Sequence, residues 1–244
     1  MSKTVIFDLD GTIYFGESIA NEALKCIETL VNNSYNILFL TNNSTKTRTE
    51  ISNKLNCLGI VADESKIYSS SYVTAKYLFE QKMDNVFVIG TSGLKSEISN
   101  LGINCSGENN CQAIVVGLDL EFNYQVISQA LIALNENVKF IACNLDKSYP
   151  VENKTLKPGC NAMVSALIGA SGKEVDFFVG KPNSYMLDVI CKDWNLHEED
   201  IWVVGDSLES DIAMANKFGC KSVLVGNQGV TLETIDEIIQ GDIV

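Results

Sequence analysis

Short apolar runs that end abruptly in polar residues punctuate the chain at 4–7, 36–40, 176–179 and 201–204. Runs this short, apolar throughout and rich in β-branched and aromatic side chains predict strands buried on both faces, as in a parallel sheet. Between them apolar positions recur at helical spacing. Ala23, Leu24, Ile27, Leu30 and Val31 fall on one predicted face, and Met186, Leu187, Ile190, Cys191 and Trp194 on another. Strand alternating with helix predicts an α/β fold, a doubly wound parallel sheet of Rossmann-like type. A further strand is expected at 222–225, after a helix near 212–218 that Gly219 closes by taking a left-handed conformation.

The middle of the chain repeats the alternation with elements of its own. Strands are expected at 86–89, 113–116 and 140–142, with a helical face of Val126, Ile127, Ala130, Leu131 and Leu134 between the last two. No Pro-rich or low-complexity linker sets this part off, so periodicity alone admits one larger sheet as well as a second domain.

The candidate chemistry sits where the predicted strands end. Phe7-Asp8-Leu9-Asp10-Gly11-Thr12 closes the first, and strand alternation points Asp8 and Asp10 to the same side while Gly11 lets the chain turn away. Taken alone the fragment equally describes an Asp-Gly turn with solvated carboxylates. The other strand ends tilt the choice. Leu40 is followed by Thr41-Asn42-Asn43-Ser44, Val179 by Gly180-Lys181-Pro182, and Val204 by Gly205-Asp206-Ser207, with Asp211 a helical turn later. In an open α/β sheet these groups converge on one rim, where ligands bind. Four carboxylates beside the single ammonium of Lys181 leave excess negative charge, so a divalent cation is expected, and oxygen ligands suit Mg2+.

Composition narrows the partners. With 31 acidic residues against 18 Lys plus Arg, the formal net charge is −13, which repels nucleic acid and anionic lipid. Neither a nucleic-acid polymer nor a membrane is expected as a partner. Eight Cys without C-x-x-C spacing, mostly beside apolar neighbours, read as buried thiols of a reducing compartment. The start MSKTVIFDLD shows no charged leader or apolar targeting core, and no run is long enough to span a bilayer, so a cytoplasmic location is the expectation.

Other polar positions have plainer uses. Ser44 is placed as the cap of a helix starting near Thr45. His197 lies among Glu198, Glu199 and Asp200 and is expected exposed at a helix boundary, without a catalytic role. Gly90-Thr91-Ser92-Gly93 has the look of a phosphate-binding loop, but ordinary helix capping explains it. Asn144, Leu145 and Asp146 follow a strand and either form a turn or face a substrate.

The motifs, in this order and each at a predicted strand end, resemble those of the haloacid dehalogenase-like (HAD) superfamily. Leu40-Thr41-Asn42-Asn43-Ser44, Val116-Gly117-Leu118-Asp119, Pro158-Gly159, Val179-Gly180-Lys181-Pro182 and Gly229-Val230-Thr231 are similar to its NagD and 4-nitrophenylphosphatase-like branch. The departures are Asn161, Ser210 and the pair Asn227-Gln228, none of which removes a catalytic group. The resemblance implies an α/β cap at 83–175, inserted between core segments 1–82 and 176–244. It implies a Mg2+-dependent phosphatase of small phosphorylated metabolites, with Asp8 as nucleophile and Asp10 as general acid and base. Mg2+ would be held by the Asp8 carboxylate, the Asp10 backbone carbonyl and Asp206, with Asp211 in support. Thr41, Asn42 and Lys181 would bind phosphate, with Asn144 and Asp146 as substrate contacts from the cap. A phosphotransferase or mutase, and a phosphometabolite-binding protein without turnover, are the alternatives. Homodimerisation through the cap is a further possibility.

Overall fold

The computed structural model describes residues 3–106, 110–134, 137–150, 155–226 and 230–241. In chain order the first elements are β1 (Thr4–Asp8), β2 (Tyr14–Phe15), β3 (Ser18–Ile19), α1 (Ala23–Asn32), β4 (Asn36–Thr41), α2 (Arg48–Cys57), β5 (Ile67–Ser69) and α3 (Ser70–Glu80). There follow β6 (Val86–Ile89), α4 (Ser92–Asn100), β7 (Ala113–Val116), α5 (Tyr124–Ala133), β8 (Lys139–Ala142), β9 (Ser148–Pro150), β10 (Leu156–Pro158) and α6 (Cys160–Ser171). The last are β11 (Phe177–Phe178), α7 (Tyr185–Trp194), β12 (Ile201–Gly205), α8 (Ala213–Phe218), β13 (Lys221–Leu224) and α9 (Ile235–Gly241). Contacts group the chain into two compact units. One comprises Met1–Thr41, Thr49–Tyr68 and Lys181–Val244; the other comprises Asn42–Arg48 and Ser69–Gly180.

The first unit holds a five-stranded sheet in the order β13-β12-β1-β4-β5. β1 lies parallel to both β12 and β4, with Phe7 opposite Val204 and Asp8 opposite Leu40, so the three strands finish together. Alternation along them sends Val5, Phe7, Ile37, Phe39, Trp202 and Val204 into one core with Ala23, Cys26 and Leu30 of α1 and Ile51 and Leu55 of α2. Ile6, Leu38 and Val203 point the other way and are equally buried. Both faces are therefore covered, and each fully buried large aliphatic or aromatic side chain contributes about 1.5–3 kcal/mol.

The second unit holds a parallel sheet in the order β11-β8-β7-β6. On one face Phe87, Ile89, Ile114, Val116, Phe140 and Ala142 pack with Ala130 and Ala133 of α5 and Met163, Val164 and Leu167 of α6. On the other, Val86, Val88, Val115, Ile141 and Cys143 pack with Ala75 and Leu78 of α3 and Leu94 and Ile98 of α4. The stretch 83–175, expected from resemblance as an inserted α/β segment, falls inside this unit.

Several expectations need correcting. The strand expected at 176–179 is only two residues long and half-buried, and it extends the second sheet beside β8. Asp176 sets that edge by accepting a 2.7 Å hydrogen bond from the Phe140 N–H, and Val179 N–H then pairs with the Ala142 carbonyl. Helix α1 buries Ala23, Cys26 and Leu30, whereas Leu24 and Val31, expected on the same face, are exposed. Spacings of three and four residues from Ala23 define the stripe, and Leu24 lies one step off it. Leu131 of α5 is likewise exposed, Ala130 and Ala133 being the buried positions. Gly219 does close α8 at φ 94°. Asn227, Gln228 and the Gly229 of Gly229-Val230-Thr231 lie outside the described residues. All eight Cys are free, but only Cys26, Cys111, Cys143 and Cys160 are buried. Among the described residues no helix is long and apolar enough to cross a membrane.

Candidate active site

Asp8 ends β1 and is 6% exposed. Its Oδ1 lies 2.5 Å from Lys181 Nζ, and the same ammonium lies 2.6 Å from Asp211 Oδ1. Lys181 and Asp211 are 4% and 1% exposed, so the cluster is an ion triad inside the protein. Its geometry is built by backbone. Ser207 N–H donates to Asp211 Oδ2 at 3.1 Å, and Asp211 N–H returns to the Ser207 carbonyl through the π-helical turn Leu208–Ile212. Gly205 permits this because a Cβ there would stand 2.3 Å from the Asp211 carboxyl carbon.

Asp206 follows β12 and is exposed, with its carboxylate against Gly11; a Cβ on Gly11 would lie 2.3 Å from Asp206 Oδ2. Gly11 also adopts φ 95°, which an L side chain resists. Carboxylate oxygens of Asp8, Asp206 and Asp211 all lie within 4.8 Å of one another. Asp10 is exposed, and the Tyr14 hydroxyl approaches its Oδ2 at 3.4 Å. Thr41 ends β4, one residue beyond the Leu40 that pairs with Asp8, and is 2% exposed.

Electrostatics follow from this crowding. Burial pushes the Asp8 carboxyl up, the Lys181 ammonium at 2.5 Å pulls it back toward the charged form, and the charges of Asp211 and Asp206 add to the rise. Burial alone would lower Lys181, but Asp211 and Asp8 outweigh it and hold the ammonium charged. Partial desolvation raises Asp206, helped by Asp211. Burial likewise raises Tyr14, with Asp10 and Asp8 adding, so its phenol stays a hydrogen-bond donor. Three carboxylates within reach of each other beside one ammonium form an oxygen-only, net negative donor set, and that set fits a hard divalent cation.

The remaining expected residues belong to the second unit. Asn42 Nδ2 donates to both oxygens of Asp146 at 3.0 and 3.1 Å. The Asn42 carbonyl accepts from Asn144 Nδ2 and Ser70 Oγ, each at 2.7 Å. Ser44 is not a helix cap: α2 begins only at Arg48, and Ser44 Oγ accepts the Leu118 N–H at 2.9 Å. Asn43 takes the turn instead, its Oδ1 accepting from Thr45 and Lys46 N–H. Nor does Thr91 cap α4 with its side chain, since its hydroxyl donates to the Thr45 carbonyl at 2.6 Å. His197 is exposed at the start of a short 3-10 turn, as expected. Sequence reasoning missed Tyr14 and the Ser207 N–H; only the four-residue spacing of Asp10 and Tyr14 hinted at the first.

A parallel α/β sheet whose strand ends assemble three carboxylates around a buried lysine places an acid-rich ligand site where such sheets bind their ligands. A family model described as haloacid dehalogenase-like hydrolase matches residues 5–104, and a HAD-hydrolase-like model matches residues 178–244. The acid sugar phosphatase of Staphylococcus haemolyticus is 30% identical over 236 residues, 96% of this chain and 89% of that protein. The p-nitrophenyl phosphatase from Archaeoglobus fulgidus superposes with a TM-score of 0.88 at 29% identity, over 100% of this chain and 93% of that one. The glycerol phosphate phosphatase of Mycobacterium tuberculosis in complex with magnesium gives a TM-score of 0.84 at 28% identity, over 92% and 68%. The chain belongs to the haloacid dehalogenase-like hydrolases, in the branch of NagD and the 4-nitrophenyl phosphatases, and is an enzyme.

Proposed function

We propose that the chain is a Mg2+-dependent phosphatase that hydrolyses small phosphate monoesters through an aspartyl phosphate on Asp8. The observation that carries this reading is the Asp8 carboxylate at the end of β1, 2.5 Å from the Lys181 ammonium and grouped with Asp206 and Asp211. Phosphatases acting on small phosphate esters are similar over nearly the whole chain, which supports the substrate class.

In this reading an Asp8 oxygen attacks phosphorus in line with the ester oxygen, the P–O bond to the leaving group breaks, and Asp10 gives that oxygen a proton. Asp10 then takes a proton from the water that cleaves the acyl phosphate, returning Asp8 and free phosphate. Lys181 holds nucleophile and phosphoryl group together, and the Thr41 hydroxyl donates to a phosphoryl oxygen. Asp8, the Asp10 carbonyl and Asp206 would hold the cation, with Asp211 in support; when bound, it neutralises charge on the transferring group. The inserted cap of this reading, residues 83–175, lies within the second unit; Asn144 and Asp146 are its substrate contacts, and Asn42 joins Thr41 and Lys181 on the phosphate.

The test is phosphate release from a panel of sugar phosphates, nucleoside monophosphates and 4-nitrophenyl phosphate, with Mg2+ and with excess chelator. Turnover of several esters that stops on chelation is expected. Turnover indifferent to metal removal defeats the proposal.

A further inference from the structure

Asp10 is exposed at a tight turn, and proton transfer needs its carboxylate held in one orientation. Beside it stands a side chain of opposite character. Tyr14 is 4% exposed, and its backbone is tied to the same turn: Gly11 N–H donates to the Tyr14 carbonyl at 2.9 Å and Tyr14 N–H to the Leu9 carbonyl at 3.1 Å. Lys54 of α2 covers the ring, with Nζ 3.7 Å from its centroid, and is itself fixed by the Gly16 carbonyl at 2.7 Å and Glu17 at 3.6 Å. The phenol is thus immobilised from below and above, and its one polar atom is aimed at Asp10 Oδ2. The separation of 3.4 Å exceeds that of a formed O–H···O bond, as is common for catalytic contacts that tighten only with substrate bound.

We propose that Tyr14 is a positioning residue for Asp10: its hydroxyl fixes Oδ2 so that Oδ1 is presented to the leaving-group oxygen, and Lys54 holds the ring in place for this. The inference rests on the general-acid role given to Asp10 above. Its consequence is selective. An alkyl leaving group needs the proton, whereas 4-nitrophenolate departs without it.

The experiment measures kcat and KM of the full chain with an alkyl phosphate and with 4-nitrophenyl phosphate, for wild type, Tyr14→Phe, Lys54→Met and Asp10→Asn. Tyr14→Phe should lower kcat/KM, which reports only the steps up to departure of the leaving group, about tenfold on the alkyl ester and less than about twofold on the aryl ester, a fraction of the whole general-acid effect. The thermal midpoint should not move. Lys54→Met should repeat the pattern at smaller amplitude, and it tests the idea even if the Tyr14 variant folds poorly. An equal fall of kcat/KM for both esters in Tyr14→Phe or Lys54→Met, or a fall for neither, overturns the inference. Asp10→Asn separates the two levels. If it too lowers kcat/KM equally for both esters, the acid role itself falls and the inference with it; if it is selective while the Tyr14 and Lys54 variants are not, only the inference falls.

Discussion

Lys181 Nζ lies 2.5 Å from Asp8 Oδ1 while also bonded to Asp211, so one buried ammonium serves two buried carboxylates. Removing it strands both. Lys181→Met is expected to destabilise the fold by about 3–5 kcal/mol, the range for breaking a buried ion pair. Lys181→Met with Asp211→Asn should cost less than the sum of the single changes, because the stranded charge is removed too. Urea unfolding of the four proteins checks this; strict additivity would mean that the pair is not coupled.

Asp8→Asn keeps the shape and the acceptor for Lys181 but lacks the charged oxygen that forms the acyl phosphate. Phosphate release should fall by about a thousandfold or more. The thermal midpoint should stay close to that of the wild type. A fully active variant, its sequence verified, would remove Asp8 from the nucleophile role.

What the sequence disclosed and what it hid follow from the range of each interaction. β1, β4, β12 and, in the second unit, β6, β7 and β8 were legible because a short apolar run between polar residues has few other solutions. The acids at their ends were legible for the same reason: a strand end fixes where its next residue lies. Phe177 and Phe178 misled, since an apolar run does not state which sheet it joins, and the choice was made by Asp176 pairing with the Phe140 N–H. Ser44 misled in another way. A serine before a helical pattern reads as a cap, and nothing local announces that its oxygen accepts the N–H of Leu118. Tyr14 stayed hidden because its aromatic ring fits the core pattern and only its hydroxyl has other business.

Three glycines make opposite forecasts. A Cβ at Gly205 would drive Asp211 away from Lys181, and one at Gly11 would meet Asp206 while holding a φ of 95°. Each Gly→Ala change should cost about 1–3 kcal/mol by overpacking and lower turnover sharply. Gly169 lies in α6 with nothing within 4 Å of an added Cβ. Gly169→Ala should stabilise by about 0.5–1 kcal/mol through helix propensity, leaving turnover unchanged. Denaturant midpoints and phosphate release measured together decide it, and a neutral Gly205→Ala would contradict the close approach.

Asp146 accepts from Asn42 Nδ2 with both of its carboxylate oxygens. Asp146→Ala leaves a partly buried amide without that partner, and the loss should be about 1–2 kcal/mol, below the full cost of an orphaned buried group. Asn42→Ala added to it should cost little more. Two losses that sum independently would show that the bidentate contact contributes nothing.

Asp176 offers a pH signature within the second unit. Its Oδ2 accepts from the Phe140 N–H at 2.7 Å and its Oδ1 lies 3.0 Å from Lys139 Nζ. Burial would raise its pKa, but the Phe140 N–H and Lys139, with Lys173, outweigh that and leave the carboxyl below its usual value. A folded pKa below the unfolded one means that the charged form is favoured by folding. Its contribution is therefore complete above the unfolded value of about 3.9 and disappears as pH falls through the folded value. Asp176→Asn should lower stability by about 1 kcal/mol at neutral pH, a modest figure because the Lys139 contact is solvent-screened. The gap between wild type and variant should narrow as pH falls below about 4, and other titrating acids cancel because both proteins carry them. Urea midpoints across that range decide the matter: a gap of constant size at every pH would mean that the amide satisfies Phe140 as well as the carboxylate does, and that charge plays no part in seating β11.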